Sequence, residues 1–181
     1  TTMVHEGGHA VHSFLAHPLS LSAFKEYPME IAEVASMAME LFSMQHWQPF
    51  FEKESDLNRA IEHQLERTIT IFPWIAIIDK FQHWVYTNPA HTIEQRTNEW
   101  QNIVKEFSSK TLNQSGLKEF RAIGWQRQLH LFEVPFYYIE YGIAQLGAIG
   151  MWMQYQKNPK LALENYMNAL ALGGTKTLPE L

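Results

Sequence analysis

His5 and His9 stand four residues apart in the run His5-Glu6-Gly7-Gly8-His9. On a helix this spacing advances about one turn and brings the two Cβ atoms within ~6 Å, so both imidazoles can face one metal ion. Zinc accepts neutral imidazole nitrogen, and a catalytic zinc site takes three protein ligands and keeps a further position open for water. Glu6 follows the first histidine directly and points beside the ligand face, where its carboxylate can take a proton from a water acidified by the metal. The third ligand has to come from elsewhere in the chain. Without it, the run is no more than two solvent-facing histidines around a helical glutamate.

The element that carries these residues reads as a helix over residues 1–16. Met3, Val4, Ala10, Val11, Phe14 and Leu15 make it apolar on most sides, which predicts burial all round. Gly7 and Gly8 each cost about 1 kcal/mol against Ala in a helix interior. Close approach by another backbone, of a neighbouring element or an extended substrate, would explain them. His17-Pro18 ends the helix, because a residue before proline is pushed out of the α region.

A second helix is predicted over residues 29–47, with Ile31, Val34, Ala35, Ala38, Leu41 and Phe42 as its apolar stripe. Glu30, Glu33 and Glu40 lie near one face of it, and a carboxylate there can complete the metal site once the chain reverses. Glu30 and Glu33 are rivals for that place. His12 is excluded as a partner of His5, since seven residues of helix separate them by ~10.5 Å. A role behind the ligands or in a substrate cleft is expected of it. A metzincin pattern is excluded too, because its glycine and third histidine would fall at His12 and Leu15.

Helical signals continue to the end. A long tract over residues 50–86 contains Pro73, and Thr92 with Gln95 forms a capping box that opens a polar helix to about residue 109. Residues 110–116 read as a loop, a shorter helix precedes Pro135, and a long one follows it to about residue 157. Asn158-Pro159 starts a last helix, which Gly173-Gly174 terminates. The expected fold class is all-α, as one domain over residues 1–181.

Composition narrows the partners. Hydrophobic residues make up 46% and aromatic residues 13% of the 181 positions, which excludes disorder. The net charge of −5 comes without a basic block, so neither nucleic acid nor an anionic membrane surface is indicated. Asp79, Glu133 and Glu140 interrupt the longest apolar runs, so no membrane span is expected. The absence of cysteine fits a reducing compartment, and cytoplasmic residence is the expectation. The chain starts at Thr1 rather than Met, as a processed chain or a piece of a longer one would.

The run HEGGHAVH, followed by EIAEVAS about twenty residues later, resembles the oligoendopeptidase F and thimet oligopeptidase family of zinc peptidases. The likeness continues through FPWIAIIDKFQHWVYTN and HLFEVPFYYIEYGIAQLGA to LGGTKTLPEL. It implies a zincin-like helical catalytic domain, in which the His-Glu-x-x-His helix packs on a second helix carrying the glutamate ligand, a gluzincin arrangement. By position that glutamate is Glu33. One Zn2+ per chain would then be held by His5, His9 and Glu33, with Glu6 as the general base. The resemblance also implies that His130, Tyr138 and Tyr141 position the peptide and stabilise the oxyanion, where one donor in a water-poor cleft is worth ~3 kcal/mol of barrier. Tyr137 reads as core. The implied substrates are short oligopeptides.

Family members are several times longer, with a helical portion ahead of the zinc motif that walls the channel. A half-open cleft, fraying of the helix near His5, and self-association through uncovered apolar surface are therefore expected. Two other readings stand beside the peptidase: a fragment that binds zinc without turnover, and a metal-free helical binding or scaffold domain.

Overall fold

The computed structural model describes residues 2–109, 111, 113 and 115–181. Among them there is no strand, so the all-α expectation holds. Eight α-helices follow in order: α1 Thr2–Ala16, α2 Met29–Ser43, α3 Glu54–Thr87, α4 Ile93–Phe107, α5 Lys118–Ala122, α6 His130–Glu133, α7 Ile139–Lys157 and α8 Pro159–Ala171. They gather into two compact units, one of residues 1–66 and 143–181, the other of residues 67–142.

Local chemistry accounts for the boundaries. The backbone N–H of Gln95 donates to Thr92 Oγ1 at 3.2 Å, and that of Thr92 donates to Gln95 Oε1 at 2.8 Å, closing the capping box that opens α4. At α8 the N–H of Leu161 donates to Asn158 Oδ1 at 3.2 Å, with Pro159 in the first turn. Gly173 takes a positive φ of 53° just after α8, and the Gly174 N–H donates to the Phe24 carbonyl at 2.8 Å. Pro73 lies inside the 34-residue α3. The segment before Pro135 forms two short helices, α5 and α6, joined through a 3₁₀ turn at Gly124–Arg127, rather than one. Of the predicted 110–116 loop, residues 110, 112 and 114 lie outside the described residues.

In the first unit α1 lies against α2. A Cβ added at Gly8 would sit 2.5 Å from Ser36 Cα and 2.7 Å from the Ala35 carbonyl oxygen, so at this crossing only hydrogen fits. One of the two glycines is thus explained by close backbone approach. A Cβ at Gly7 would meet nothing within 4 Å. The expectation that α1 is buried on most sides is corrected: its buried edge is Gly8, His12 and Ala16, while Met3 and Phe14 are 87% and 79% exposed. The core of this unit comes from α2, where Ala35, Ala38, Leu41 and Phe42 are all buried. Tyr166 of α8 donates its hydroxyl to the Ala35 carbonyl at 2.7 Å, and burial raises that phenol's pKa.

The second unit is built on Ile77, Ile78 and Phe81 of α3, packed with Trp100 and Ile103 of α4 and with Trp125. Trp100 lies edge-on to Phe81 at 5.0 Å and donates its indole N–H to the Arg121 carbonyl at 2.9 Å.

Candidate metal centre

Because Gly8 lets the two backbones touch, the imidazoles of α1 reach side chains one layer into α2. His5 Nε2 lies 3.6 Å and His9 Nε2 4.0 Å from Glu33 Oε2, and the ligand atoms of the three residues all fall within 4.8 Å of one another. Bonds of ~2.0–2.1 Å to a tetrahedral zinc place donors roughly 3.3 Å apart, so side-chain shifts that close these separations by up to about 1.5 Å would bring the atoms onto one ion. Two neutral nitrogens and a carboxylate suit zinc, and three protein ligands leave a coordination position open. Of the two rival glutamates, Glu33 is the one brought into this group and Glu30 is outside it. Glu33 is itself buried, and Ser36 Oγ donates to its carboxylate at 3.4 Å.

Both histidines present Nε2 to the centre. His5 uses its other nitrogen to donate to Glu40 Oε1 at 2.8 Å, while Gln64 Nε2 from α3 donates to Glu40 Oε2 at 2.8 Å. This chain holds the His5 ring in the tautomer whose Nε2 lone pair is free for a cation. The hydrogen bond to Glu40 also raises the His5 pKa above the ordinary imidazole value, against the opposing effect of burial. Sequence reasoning placed Glu40 near the face of Glu33 but did not assign it to His5, and nothing in the sequence marks Gln64. Isothermal titration with zinc is expected to show affinity lower by ~10–100-fold in Glu40→Gln and by more than ~100-fold in Glu33→Gln, with Glu30→Gln unchanged.

Glu6 is exposed and close enough to His5 to raise its pKa electrostatically. Among the described residues its carboxylate has no hydrogen-bond partner, which leaves it able to accept a proton.

His12 departs from expectation. It is fully buried, stacked on Tyr27 with ring centroids 3.5 Å apart, and neither ring nitrogen has a hydrogen-bond partner among the described residues. It serves as a flat core ring. Burial, with His9 nearby, lowers its pKa to about 4. As pH drops below ~6.5 the unfolded chain takes up a proton that the folded chain refuses until about pH 4, so stability is lost through that window, by roughly 3 kcal/mol in full. Denaturant unfolding of the metal-free chain at about pH 7.5 and about pH 4.5 should therefore show a larger loss than in His12→Phe, and equal losses would refute the assignment.

The remaining predicted site residues belong to the second unit and form a cluster of their own. Tyr141 Oη lies 3.4 Å from His130 Nε2, and Gln128 Nε2 lies 2.8 Å from His130 Nδ1. The His130 ring meets Tyr138 edge-on at 4.9 Å and Tyr141 at 5.8 Å. Tyr137 also packs here, against Tyr141 at 5.3 Å. Burial raises the Tyr138 pKa, partly offset by hydrogen bonds from Trp74 and Gln128, so the phenol stays protonated and able to donate at neutral pH. Just before these tyrosines Phe136 adopts a positive φ of 62°, unusual for a bulky residue, and packs against the rings of His83 and Tyr86 at 5.1 Å each.

The sequence profile of peptidase family M3 matches residues 1–181. The chain belongs to this family. It is 24% identical to an oligoendopeptidase F homolog of Borreliella burgdorferi over 97% of this chain and 30% of that protein. It is 26% identical to oligopeptidase PepF of Bacillus subtilis, over 97% of this chain and 26% of that protein. Among solved structures, PZ peptidase A with a bound inhibitor superposes with a TM-score of 0.89 at 30% identity, over 98% of this chain and 31% of that one. The chain spans less than a third of the length of each of these relatives. No helix among the described residues is long and apolar enough to cross a membrane.

Proposed function

We propose that this chain carries the zinc-binding catalytic portion of a metalloendopeptidase that hydrolyses short peptides. The observation that supports it most is the convergence of His5 Nε2, His9 Nε2 and Glu33 Oε2, with Glu6 beside them and a glutamate holding the ring of His5. A zinc ion bound by His5, His9 and Glu33 would supply the Lewis acid that polarises a scissile carbonyl and acidifies water. Glu6 takes the proton from the attacking water and passes it to the leaving amine. Glu40 and Gln64 keep His5 in the ligating tautomer. His130, Tyr138 and Tyr141 donate hydrogen bonds to the carbonyl oxygen as it gains charge, a role supported by the protonated state that burial imposes on Tyr138. Oligopeptides as substrates are supported by the names of the two curated relatives. The family match over residues 1–181 supports treating both compact units as one catalytic portion.

A second reading needs the same binding groups and no turnover: a chain that binds zinc and peptides without cleaving them. Zinc content by elemental analysis, together with cleavage of a quenched fluorescent peptide before and after chelation and zinc restoration, separates the readings. Stoichiometric zinc with restorable cleavage supports the peptidase, and zinc without cleavage supports the second reading. No zinc and no stabilisation by added zinc would overturn both and leave a helical scaffold domain. Self-association is also proposed, supported by the exposure of Phe14, Phe50 and Leu146. A single monomeric species in sedimentation velocity would refute it.

A further inference from the structure

Gln128 stands against one of the groups to which a chemical role is proposed. Its Nε2 lies 2.8 Å from Nδ1 of His130. An amide nitrogen donates and does not accept, so Nδ1 is the acceptor of this bond.

We propose that Gln128 is a positioning residue that fixes the proton of His130 on Nε2. A nitrogen that accepts from an amide cannot itself carry hydrogen, so the neutral ring protonates at Nε2. That N–H faces the Tyr141 hydroxyl across 3.4 Å, a long contact that a substrate oxygen can displace. Edge-on packing against Tyr138 and Tyr141 holds the plane of the ring. The importance of the arrangement for turnover rests on the proposed role of His130 as a donor to the carbonyl oxygen. The tautomer itself does not depend on that role.

The test is long-range proton–nitrogen correlation NMR on the 15N-histidine-labelled chain at neutral pH, with the His130 signals identified by their loss in His130→Gln. His130 is expected to show a pyridine-type Nδ1 and a pyrrole-type Nε2. In Gln128→Glu the carboxylate can only accept, so the proton should appear on Nδ1. A pyrrole-type Nδ1 in the unaltered chain would overturn the proposal, because Gln128 would then present its oxygen. Unchanged His130 signals in Gln128→Glu would also overturn it. In peptide cleavage, Gln128→Met is expected to lower kcat about tenfold with KM nearly constant, less than the ~10²-fold loss of a donor itself. A change confined to KM counts against the proposal. The tautomer is read without zinc and without turnover, so a chain that shows it but cleaves nothing removes the peptidase reading alone and supports the assignment of Gln128.

Discussion

Replacing Glu6 by glutamine is expected to leave zinc content unchanged and to reduce peptide cleavage by about 10³-fold, within the range that a positioned general base contributes. The change keeps the size of the side chain and its capacity to hydrogen-bond, and removes only its ability to accept a proton. Glu6 is exposed on the outward side of α1, so its substitution disturbs no packing. Its negative charge helps to raise the His5 pKa, and the same charge also attracts a dication, so the two effects of losing it oppose each other. Zinc affinity should therefore change little. If cleavage persists at near-native rates, another group takes the proton and the assignment of Glu6 is wrong. If zinc is lost together with cleavage, Glu6 serves the site's structure and the base lies elsewhere.

Gly8→Ala is expected to destabilise the chain by more than about 3 kcal/mol, at the upper end of overpacking costs, although alanine is favoured over glycine by ~1 kcal/mol in a helix interior. The opposing effect wins because the added carbon would meet main-chain atoms at 2.5 and 2.7 Å. A flexible side chain could rotate away, but the backbone of α2 cannot. Separation of the helices would also pull His5 and His9 from Glu33, so weaker zinc binding should accompany the lower stability. Gly7→Ala is the control: its Cβ enters open space, and it should be neutral or stabilising by up to ~1 kcal/mol. Thermal melts read the difference directly, with a drop on the order of 10 °C for Gly8→Ala and none for Gly7→Ala. Equal melting temperatures for the two variants would show that α1 and α2 do not cross as described.

The helices were largely legible because their signals are local. Thr92 with Gln95, Asn158 with Pro159, and Gly173 each act within one turn of chain, and each lies at a helix end in the structure. The approach of His5 and His9 on one helix face was legible for the same reason. What the sequence concealed depends on contacts between elements. Counting apolar residues suggested an α1 buried on most sides, yet the packed edge is made by Gly8, His12 and Ala16, two small residues and a polar one. His12 carries a polar label while behaving as a core ring. Glu40 is bound from two sides, by His5 and Gln64, at sequence separations of 35 and 24 residues. Gln128 stands two residues before His130, but no pattern in the sequence marks the contact between the two side chains.

The bond from the Gly174 amide to the Phe24 carbonyl ties the turn after α8 to the connection between α1 and α2. A cation held by His5, His9 and Glu33 would favour the arrangement in which those two helices are docked, and any bond that depends on the docking would be strengthened through linkage. Deuterium uptake at this single amide thus becomes a remote gauge of cation occupancy. It would slow on loading although the nitrogen touches no ligand, giving an assay that works even on a chain whose chemistry has been silenced.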